Sequence, residues 1–158
     1  MKQGYNQDVT ADTFEAWTVH SYAGDYNPLH DHGCRTSAGL SMILYLKVPE
    51  CIEKISDPSE EGLTLNQASG NIDGFTYFTW GDGDNKDVNR FRPITEEYVK
   101  PEVGTMLIFP NWLRHAVMPF YGDGERRTFS ANLNIFDNSM FEKISEEDKI
   151  KHIQSMRK

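Results

Sequence analysis

Two histidines separated by one residue, His30 and His32, are the first side chains whose spacing allows metal chemistry. Residues i and i+2 of a strand point to the same face, about 7 Å apart at Cα. Imidazoles placed in this way can bind one ion at about 2.0–2.2 Å from each ring nitrogen. For a His-x-His pair alone, the alternative that one histidine is an ordinary polar residue at a strand end stays open.

A third histidine and an arginine strengthen the hypothesis of a functional site. His115 follows the aromatic-rich corner Phe109–Arg114 and begins a predicted strand, where it can face the first pair across a pocket. Arg126 comes eleven residues later, at the start of another predicted strand. Its guanidinium can bind a carboxylate with two parallel hydrogen bonds, and the hydroxyl of Thr128, on the same face, can add another.

The predicted strand that begins at Arg126 has one face that is polar along its middle. That face carries Arg126, Thr128, Ser130 and Asn132, and the opposite face carries Arg127, Phe129, Ala131 and Leu133. Inside a barrel, a polar face indicates a binding site, because buried polar groups need hydrogen-bond partners. The alternative, a half-exposed strand whose polar face meets solvent, stays open.

These side chains need a scaffold, and the composition favours one made of short strands. The chain has twelve glycines, seven prolines and 12% aromatic residues, as is typical of strands joined by turns. Alternating or apolar runs predict strands at 14–20, 30–32, 40–48, 75–80, 98–99, 105–109, 115–118 and 126–135. Gly24-Asp25 and Asn27-Pro28 are predicted turns. This pattern predicts a mainly β fold, a double-sheet jelly roll.

One domain is expected over 1–158, with a barrel at about 14–136 and a C-terminal helix at about 145–157 that follows an N-cap at Ser145. The formal net charge of −8 disfavours nucleic acid as a partner. No run approaches the roughly 20 apolar residues that cross a bilayer. Because no apolar leader precedes Cys34 and Cys51, we expect a thiol-bearing, cytoplasmic protein that does not enter a membrane.

Five motifs follow one another in a fixed order. They are Asn-Pro-Leu-His-x-His at 27–32, Ser-x-x-x-Tyr-Leu-x-x-Pro at 41–49, Val-x-Pro-x-x-Gly-x-x-x-x-Phe-Pro at 99–110, Leu-x-His-x-Val-x-Pro-Phe at 113–120 and Glu-Arg-x-x-x-Ser-x-Asn at 125–132. Together they resemble a branch of the 2-oxoglutarate- and Fe(II)-dependent oxygenases. The similarity spans about 14–136, and the joint order is more specific than any one motif.

This resemblance implies the double-stranded β-helix, a cupin-like jelly roll. It also implies that His115 is the distal iron ligand and that Arg126 binds the cosubstrate 2-oxoglutarate, with Thr128 completing an Arg-x-Ser/Thr pattern. Tyr45 matches a tyrosine that reaches the far carboxylate of the cosubstrate in related hydroxylases. Asn132, which ends the last motif, is assigned to the same cosubstrate site.

One position departs from the pattern of the wider superfamily. His32 stands where most members have an Asp or Glu, so the resemblance gives His30, His32 and His115 as catalytic iron ligands. Such a site is more positive by one unit than a site of two histidines and one carboxylate. Asp31, or Asp25 after a local kink, remains an alternative oxygen ligand.

The resemblance implies a dioxygenase that uses Fe(II), 2-oxoglutarate and O2, with hydroxylation of a small molecule or peptide as the default reaction. Two alternatives stay open: a three-histidine cupin-type metalloenzyme that does not use 2-oxoglutarate, and a non-catalytic jelly-roll binding module. Substrate specificity is expected in the loops 50–73 and 81–97, and Trp112 is the tryptophan favoured to contact a substrate. Exposed sheet edges favour a homodimer.

Overall fold

The computed structural model describes residues 9–32, 39–55, 72–81, 95–138 and 145–156. Within these ranges the strands are β1 (Val9–Ser21), β2 (Asn27–His30), β3 (Gly39–Lys47), β4 (Thr76–Thr79), β5 (Glu96–Val99), β6 (Met106–Pro110), β7 (Arg114–Val117) and β8 (Arg126–Asp137). The helices are α1 (Glu50–Glu53) and α2 (Glu146–Met156). None of the described helices is long and apolar enough to span a membrane.

The strands form two four-stranded antiparallel sheets. The first sheet has the order β1-β8-β3-β6, and the second has the order β2-β7-β4-β5. Their apolar inner side chains form one core, which includes Ile43, Tyr45, Phe75, Phe78, Phe109 and Phe120. The predicted mainly β fold of two antiparallel sheets is therefore confirmed.

The first strand is longer than its sequence pattern indicates. β1 pairs with β8 from Val9 to Ser21, and its register shifts between Thr13 and Glu15. Such a bulge inserts an extra residue, so alternation before it is out of phase with alternation after it. This shift explains why the pattern predicted only the part that follows the bulge.

The prediction that Asn27-Pro28 forms a turn is wrong, because both residues belong to β2. β2 lies at the edge of its sheet, where a proline removes no ladder hydrogen bond. Gly24-Asp25 does form the predicted turn, in which the Asp25 N–H donates to the Tyr22 carbonyl at 2.9 Å. His30 is the last residue of β2, and His32 lies just beyond the strand.

Two further elements, β3 and α2, agree with the sequence. β3 lies between β8 and β6, so it is central. Ser145 is the predicted N-cap of α2, and its Oγ accepts a hydrogen bond from the Asp148 N–H at 3.2 Å. Cys51 is a half-buried free thiol, whereas Cys34 lies outside the described residues. Most of the loops expected to determine specificity, 56–71 and 82–94, also lie outside them.

Candidate metal centre

The three predicted histidines come together between the two sheets. His30 on β2 is paired with His115 on β7, so their side chains lie next to each other on the inner face of the second sheet. His32 is fixed by its N–H, which donates to the Asn111 carbonyl at 3.0 Å. One ring nitrogen from each histidine lies within 4.8 Å of the others. Among the described residues, only these three form such a group.

Backbone carbonyls orient two of the three imidazole rings. His30 Nδ1 lies 2.6 Å from the Pro28 carbonyl oxygen, and His115 Nδ1 lies 3.0 Å from that of Leu113. A carbonyl oxygen only accepts, so each Nδ1 carries the hydrogen and each Nε2 keeps its lone pair. This is the arrangement that metal-binding histidines usually adopt, because the carbonyl fixes both the tautomer and the ring.

The spacing of the nitrogens fits one small cation. His32 Nε2 and His115 Nε2 lie 3.2 Å apart, close enough for an N–H···N hydrogen bond or for a shared ion. Nitrogens at about 2.1 Å from one ion and at right angles to each other are about 3.0 Å apart. The nitrogens of His32 and His115 therefore fit a divalent transition metal such as Fe(II), and His30 lies near enough to join them, leaving positions for other ligands.

No carboxylate joins this group among the described residues. Asp25 Oδ2 accepts a hydrogen bond from the Tyr22 N–H at 2.8 Å, within the turn that precedes β2. Asp31, between His30 and His32, is exposed. The nitrogen-only donor set is thus the one the structure assembles, and the alternative oxygen ligands lie outside it.

His115 is the most buried of the three histidines. It is 3% exposed, and the rings of Phe109 and Phe78 lie 4.9 Å and 6.0 Å from its own. Burial, together with the neighbouring His30 and His32, lowers the pKa of His115 to about 4. Burial and His30 also lower the pKa of His32. Both rings therefore favour the neutral form, which is the form that binds a metal.

The predicted anion-binding arginine lies in the same pocket. Arg126 is 1% exposed, and its guanidinium extends from the first sheet to the second. Its Nε–H donates to the Gly74 carbonyl at 2.9 Å, and Nη2 donates to Thr76 Oγ1 at 3.1 Å. No described carboxylate forms an ion pair with it. An unpaired buried cation is costly, so this position favours an anionic ligand.

Two further predicted residues lie around this guanidinium. The ring of Tyr45 is 5.2 Å from Arg126 Cζ, and its hydroxyl is hydrogen-bonded to Thr76 Oγ1 at 2.7 Å. Thr128 lines the pocket beside Arg126 and is 3% exposed. Sequence reasoning missed Thr76, although the alternation from Phe75 to Trp80 places it on the inner face.

Asn132 is also buried on the inner face of β8, but the structure does not bring it to the guanidinium. Its Oδ1 accepts a hydrogen bond from Ser41 Oγ at 2.9 Å, and its Nδ2 donates to Glu15 Oε2 at 3.1 Å. Its assignment to the cosubstrate site stays a prediction. Trp112 is 62% exposed, whereas Trp17 lines the pocket and its ring stacks on that of His32 at 5.9 Å.

The pocket that contains these groups has about 460 Å³ of space not filled by protein atoms, part of it open to solvent. The second sheet contributes His30 and His115, and the first contributes Arg126, Thr128 and Ser130. The pocket therefore combines three imidazoles with one buried guanidinium between the sheets, as a metal and a carboxylate ligand would need.

Comparison with known proteins identifies the family of this chain. A family model described as "Putative 2OG-Fe(II) oxygenase" matches residues 15–132, roughly three quarters of the chain. A crystal structure of an oxidoreductase of the 2OG-Fe(II) oxygenase family from Burkholderia pseudomallei is similar in fold, with a TM-score of 0.51 and 11% identity. The match covers 83% of this chain and 47% of that one, so the chain spans about half its length. No curated protein matches.

Proposed function

The chain belongs to the 2OG-Fe(II) oxygenase family, and we propose that it is a 2-oxoglutarate- and Fe(II)-dependent dioxygenase that hydroxylates its substrate. The observation that carries the proposal is the presence of His30, His32 and His115 in one pocket with the buried Arg126. The histidines would hold Fe(II), and the arginine would hold 2-oxoglutarate. When bound, these two groups supply the activation of O2 and the oxidation of a C–H bond.

The residues around Arg126 explain how a dicarboxylic acid would be anchored. Its guanidinium is fixed by Gly74 and Thr76, so it is oriented before any ligand arrives. A carboxylate of 2-oxoglutarate would neutralise this buried charge and accept charge-assisted hydrogen bonds from it. Thr128 adds a hydroxyl on the same face, and Tyr45 packs against the guanidinium.

The proposed reaction inserts one oxygen atom of O2 into a substrate C–H bond. The other oxygen atom enters the cosubstrate, which loses CO2 and becomes succinate, so atoms and electrons balance. The protein keeps the imidazoles neutral and oriented and limits access of water with Phe78 and Phe109. The burial of His115 supports both of these roles.

A second candidate is a cupin-type metalloenzyme that uses three histidines and O2 without 2-oxoglutarate. The nitrogen-only donor set favours it, because no described carboxylate joins the histidines. The buried Arg126 argues against it, since that chemistry needs no anchoring cation at this position. A non-catalytic binding module, the third candidate, needs neither Fe(II) nor 2-oxoglutarate.

Anaerobic titrations with Fe(II) and 2-oxoglutarate test the proposal. We expect His115→Ala to lower the affinity for Fe(II) by more than about a hundredfold. Even the loss of a residue that only hydrogen-bonds a metal ligand lowers metal affinity by about 10–100-fold. Arg126→Ala should retain Fe(II) and bind 2-oxoglutarate about 10–100-fold more weakly, because hydrogen bonds to a charged group are lost. His20→Ala, an exposed histidine outside the pocket, is the matched control.

The outcomes separate the three candidates. Loss of 2-oxoglutarate binding in Arg126→Ala, with Fe(II) retained, supports the dioxygenase. Wild-type protein that binds Fe(II) but not 2-oxoglutarate indicates the cupin-type enzyme. Wild-type protein that binds neither contradicts both enzymatic assignments. Circular dichroism of each variant shows that lost binding does not come from unfolding.

A further inference from the structure

A polar row crosses the first sheet next to the histidines, on the side away from Arg126. Ser41 on β3 donates to Asn132 on β8, and Asn132 donates to Glu15 on β1. Ser41 and Asn132 are 2% and 4% exposed, whereas Glu15 is exposed. Two buried polar side chains therefore orient one accessible carboxylate, which a structural strand has little reason to do.

The strand register shows where this carboxylate lies. Glu15 is paired with Asn132, and Trp17 is paired with Ser130, so the two side chains follow each other on the inner face of β1. Trp17 stacks on His32. Arg126 is six residues before Asn132 on β8, about 20 Å along the strand at about 3.3 Å per residue. Along β8, the stacked rings of Trp17 and His32 thus lie between Arg126 and Glu15.

The charge around His32 agrees with this placement. Burial and His30 lower the pKa of His32, and the carboxylates of Glu15 and Asp31 oppose that lowering. Both carboxylates are therefore close enough for their negative charge to act at the ring. An aromatic ring beside a carboxylate is an arrangement that binds organic cations, through cation–π contact and ion pairing.

A buried acceptor lies one row further along the same face. Asn134 on β8 is 1% exposed, and its Oδ1 has no hydrogen-bond donor among the described residues. Asn134 follows Asn132 on the inner side of the strand and is paired with Gly39 on β3. A buried carbonyl without a donor is destabilising unless a ligand supplies one. Glu15, Asn132 and Asn134 thus place oxygen acceptors in two successive rows on this face of the first sheet, next to the pocket.

We propose that the substrate carries an ammonium or guanidinium group, which Glu15 binds and Trp17 covers, so that a neighbouring C–H bond faces the metal. This inference rests on the proposed function and adds the class of substrate. Free basic amino acids and lysyl or arginyl side chains of a peptide share this chemistry. Asn132 is then a positioning residue that holds the Glu15 carboxylate toward the pocket.

Paired probes test the proposal, one with a cationic side chain and the other, called neutral, with an uncharged side chain of similar length. Full-length protein is loaded anaerobically with Fe(II) and 2-oxoglutarate, and both occupancies are measured first. Calorimetry then compares L-lysine with L-norleucine and L-arginine with L-citrulline, each as the free amino acid and within a short peptide. O2 is added afterwards, and the release of succinate is measured for each probe.

We expect a cationic probe to bind at least tenfold more tightly than its neutral partner and to stimulate succinate release. Glu15→Gln should reduce that preference at least tenfold while the affinities for Fe(II), 2-oxoglutarate and the neutral probes stay the same. Trp17→Leu should weaken the cationic probe as well. Glu102→Gln removes an exposed carboxylate in the turn before β6 and should leave every affinity within twofold.

The results also separate this inference from the one on which it rests. Wild-type protein that binds Fe(II) and 2-oxoglutarate but does not prefer cationic probes overturns the substrate class and leaves the dioxygenase intact. A preference that persists in Glu15→Gln overturns the site. Failure to load Fe(II) or 2-oxoglutarate contradicts the proposed function itself. Binding by free amino acids indicates a small-molecule substrate, and binding by peptides alone indicates a protein side chain.

Discussion

At the scale of single residues, the Thr76 hydroxyl connects the side chains of Arg126 and Tyr45. It accepts a hydrogen bond from Arg126 Nη2 at 3.1 Å and is hydrogen-bonded to the Tyr45 hydroxyl at 2.7 Å. Thr76 is fully buried, so water cannot replace it in either contact. One small hydroxyl on β4 therefore fixes the guanidinium and the phenol, which come from β8 and β3.

Thr76→Val removes this hydroxyl and keeps the shape of the side chain. We expect the free energy of unfolding to fall by about 1–3 kcal/mol, because a buried charged donor loses its acceptor. Binding of 2-oxoglutarate should weaken, while Fe(II) binding stays the same. Denaturant titration and cosubstrate titration measure the two effects. Thr10→Val, which removes an exposed hydroxyl, should change stability by less than about 0.5 kcal/mol.

The sequence predicted the chemically rare residues of the site better than their supports. His30, His32, His115 and Arg126 stand out because few structural roles require their side chains at such spacing. Thr76 and Trp17 did not, because threonine and tryptophan are common in strands and their contacts join distant parts of the chain. Only the pairing of strands brings Trp17 to His32.

At the scale of elements, the turn before β4 holds the guanidinium from a second direction. The Gly74 carbonyl accepts the Nε–H of Arg126 at 2.9 Å. Gly74 has a φ of +73°, and a Cβ atom at this position would overlap the side chain of Ile52. The turn therefore requires glycine both for its backbone conformation and for its contact with α1.

Gly74→Ala should displace this turn and weaken both stability and 2-oxoglutarate binding. Gly104→Ala is the matched control, because Gly104 has a φ of +89° but no atom within 4 Å of an added Cβ. We expect the free energy of unfolding of the control to fall by about 1 kcal/mol from backbone strain alone. A larger loss of unfolding free energy in Gly74→Ala, together with weaker binding of 2-oxoglutarate, measures the cost of the clash between the added Cβ and Ile52. Equal losses in the two variants would contradict this role of the turn.

Element existence could be predicted from the sequence, whereas element ends could not. Alternating or apolar runs located seven of the eight described strands, but β1 extends past a bulge, and Asn27-Pro28 of β2 was predicted as a turn. Both features depend on the partner strand: a bulge is defined by its register, and a proline is tolerated where one edge lacks a partner. The sequence pattern of a single strand therefore indicates neither the bulge in β1 nor the edge position of β2.

At the scale of the whole molecule, one carboxylate joins three strands of the first sheet. Glu125, just before β8, forms ion pairs with Arg127 at 2.7 Å, His20 of β1 at 2.6 Å and Lys47 of β3 at 3.3 Å. Hydrogen bonds from Arg127 and then from His20 lower the pKa of Glu125 to about 2. The ionised form is therefore favoured in the folded protein.

Because the pKa of Glu125 is depressed from 4.5 to about 2, its stabilising effect should be complete above about pH 4.5 and lost as pH falls toward about 2. Glu125→Gln should lower the free energy of unfolding at neutral pH, and the difference from wild type should shrink through this window. Urea denaturation at a series of pH values measures it. Glu102→Gln should show a difference near zero throughout, and a constant Glu125→Gln difference would refute the coupling.

The order of the strands in the sheets could be predicted only through the family resemblance. β1 is paired with β8 although nearly the whole described chain separates them, and β3 lies between β8 and β6. Composition and alternation indicate a sandwich but do not distinguish its possible orders, because many pairings bury the same apolar faces. The order of motifs along the chain supplied that information.

The position of β1 has a consequence for how this protein can diverge. β1 is an edge strand, with β8 as its only neighbour among the described strands. Tyr45, Thr76 and Arg126 lie on β3, β4 and β8, which are interior strands of the two sheets. Replacing side chains on a border strand disturbs few neighbours. Substitutions at the proposed Glu15 site can therefore occur while the residues around Arg126 stay unchanged.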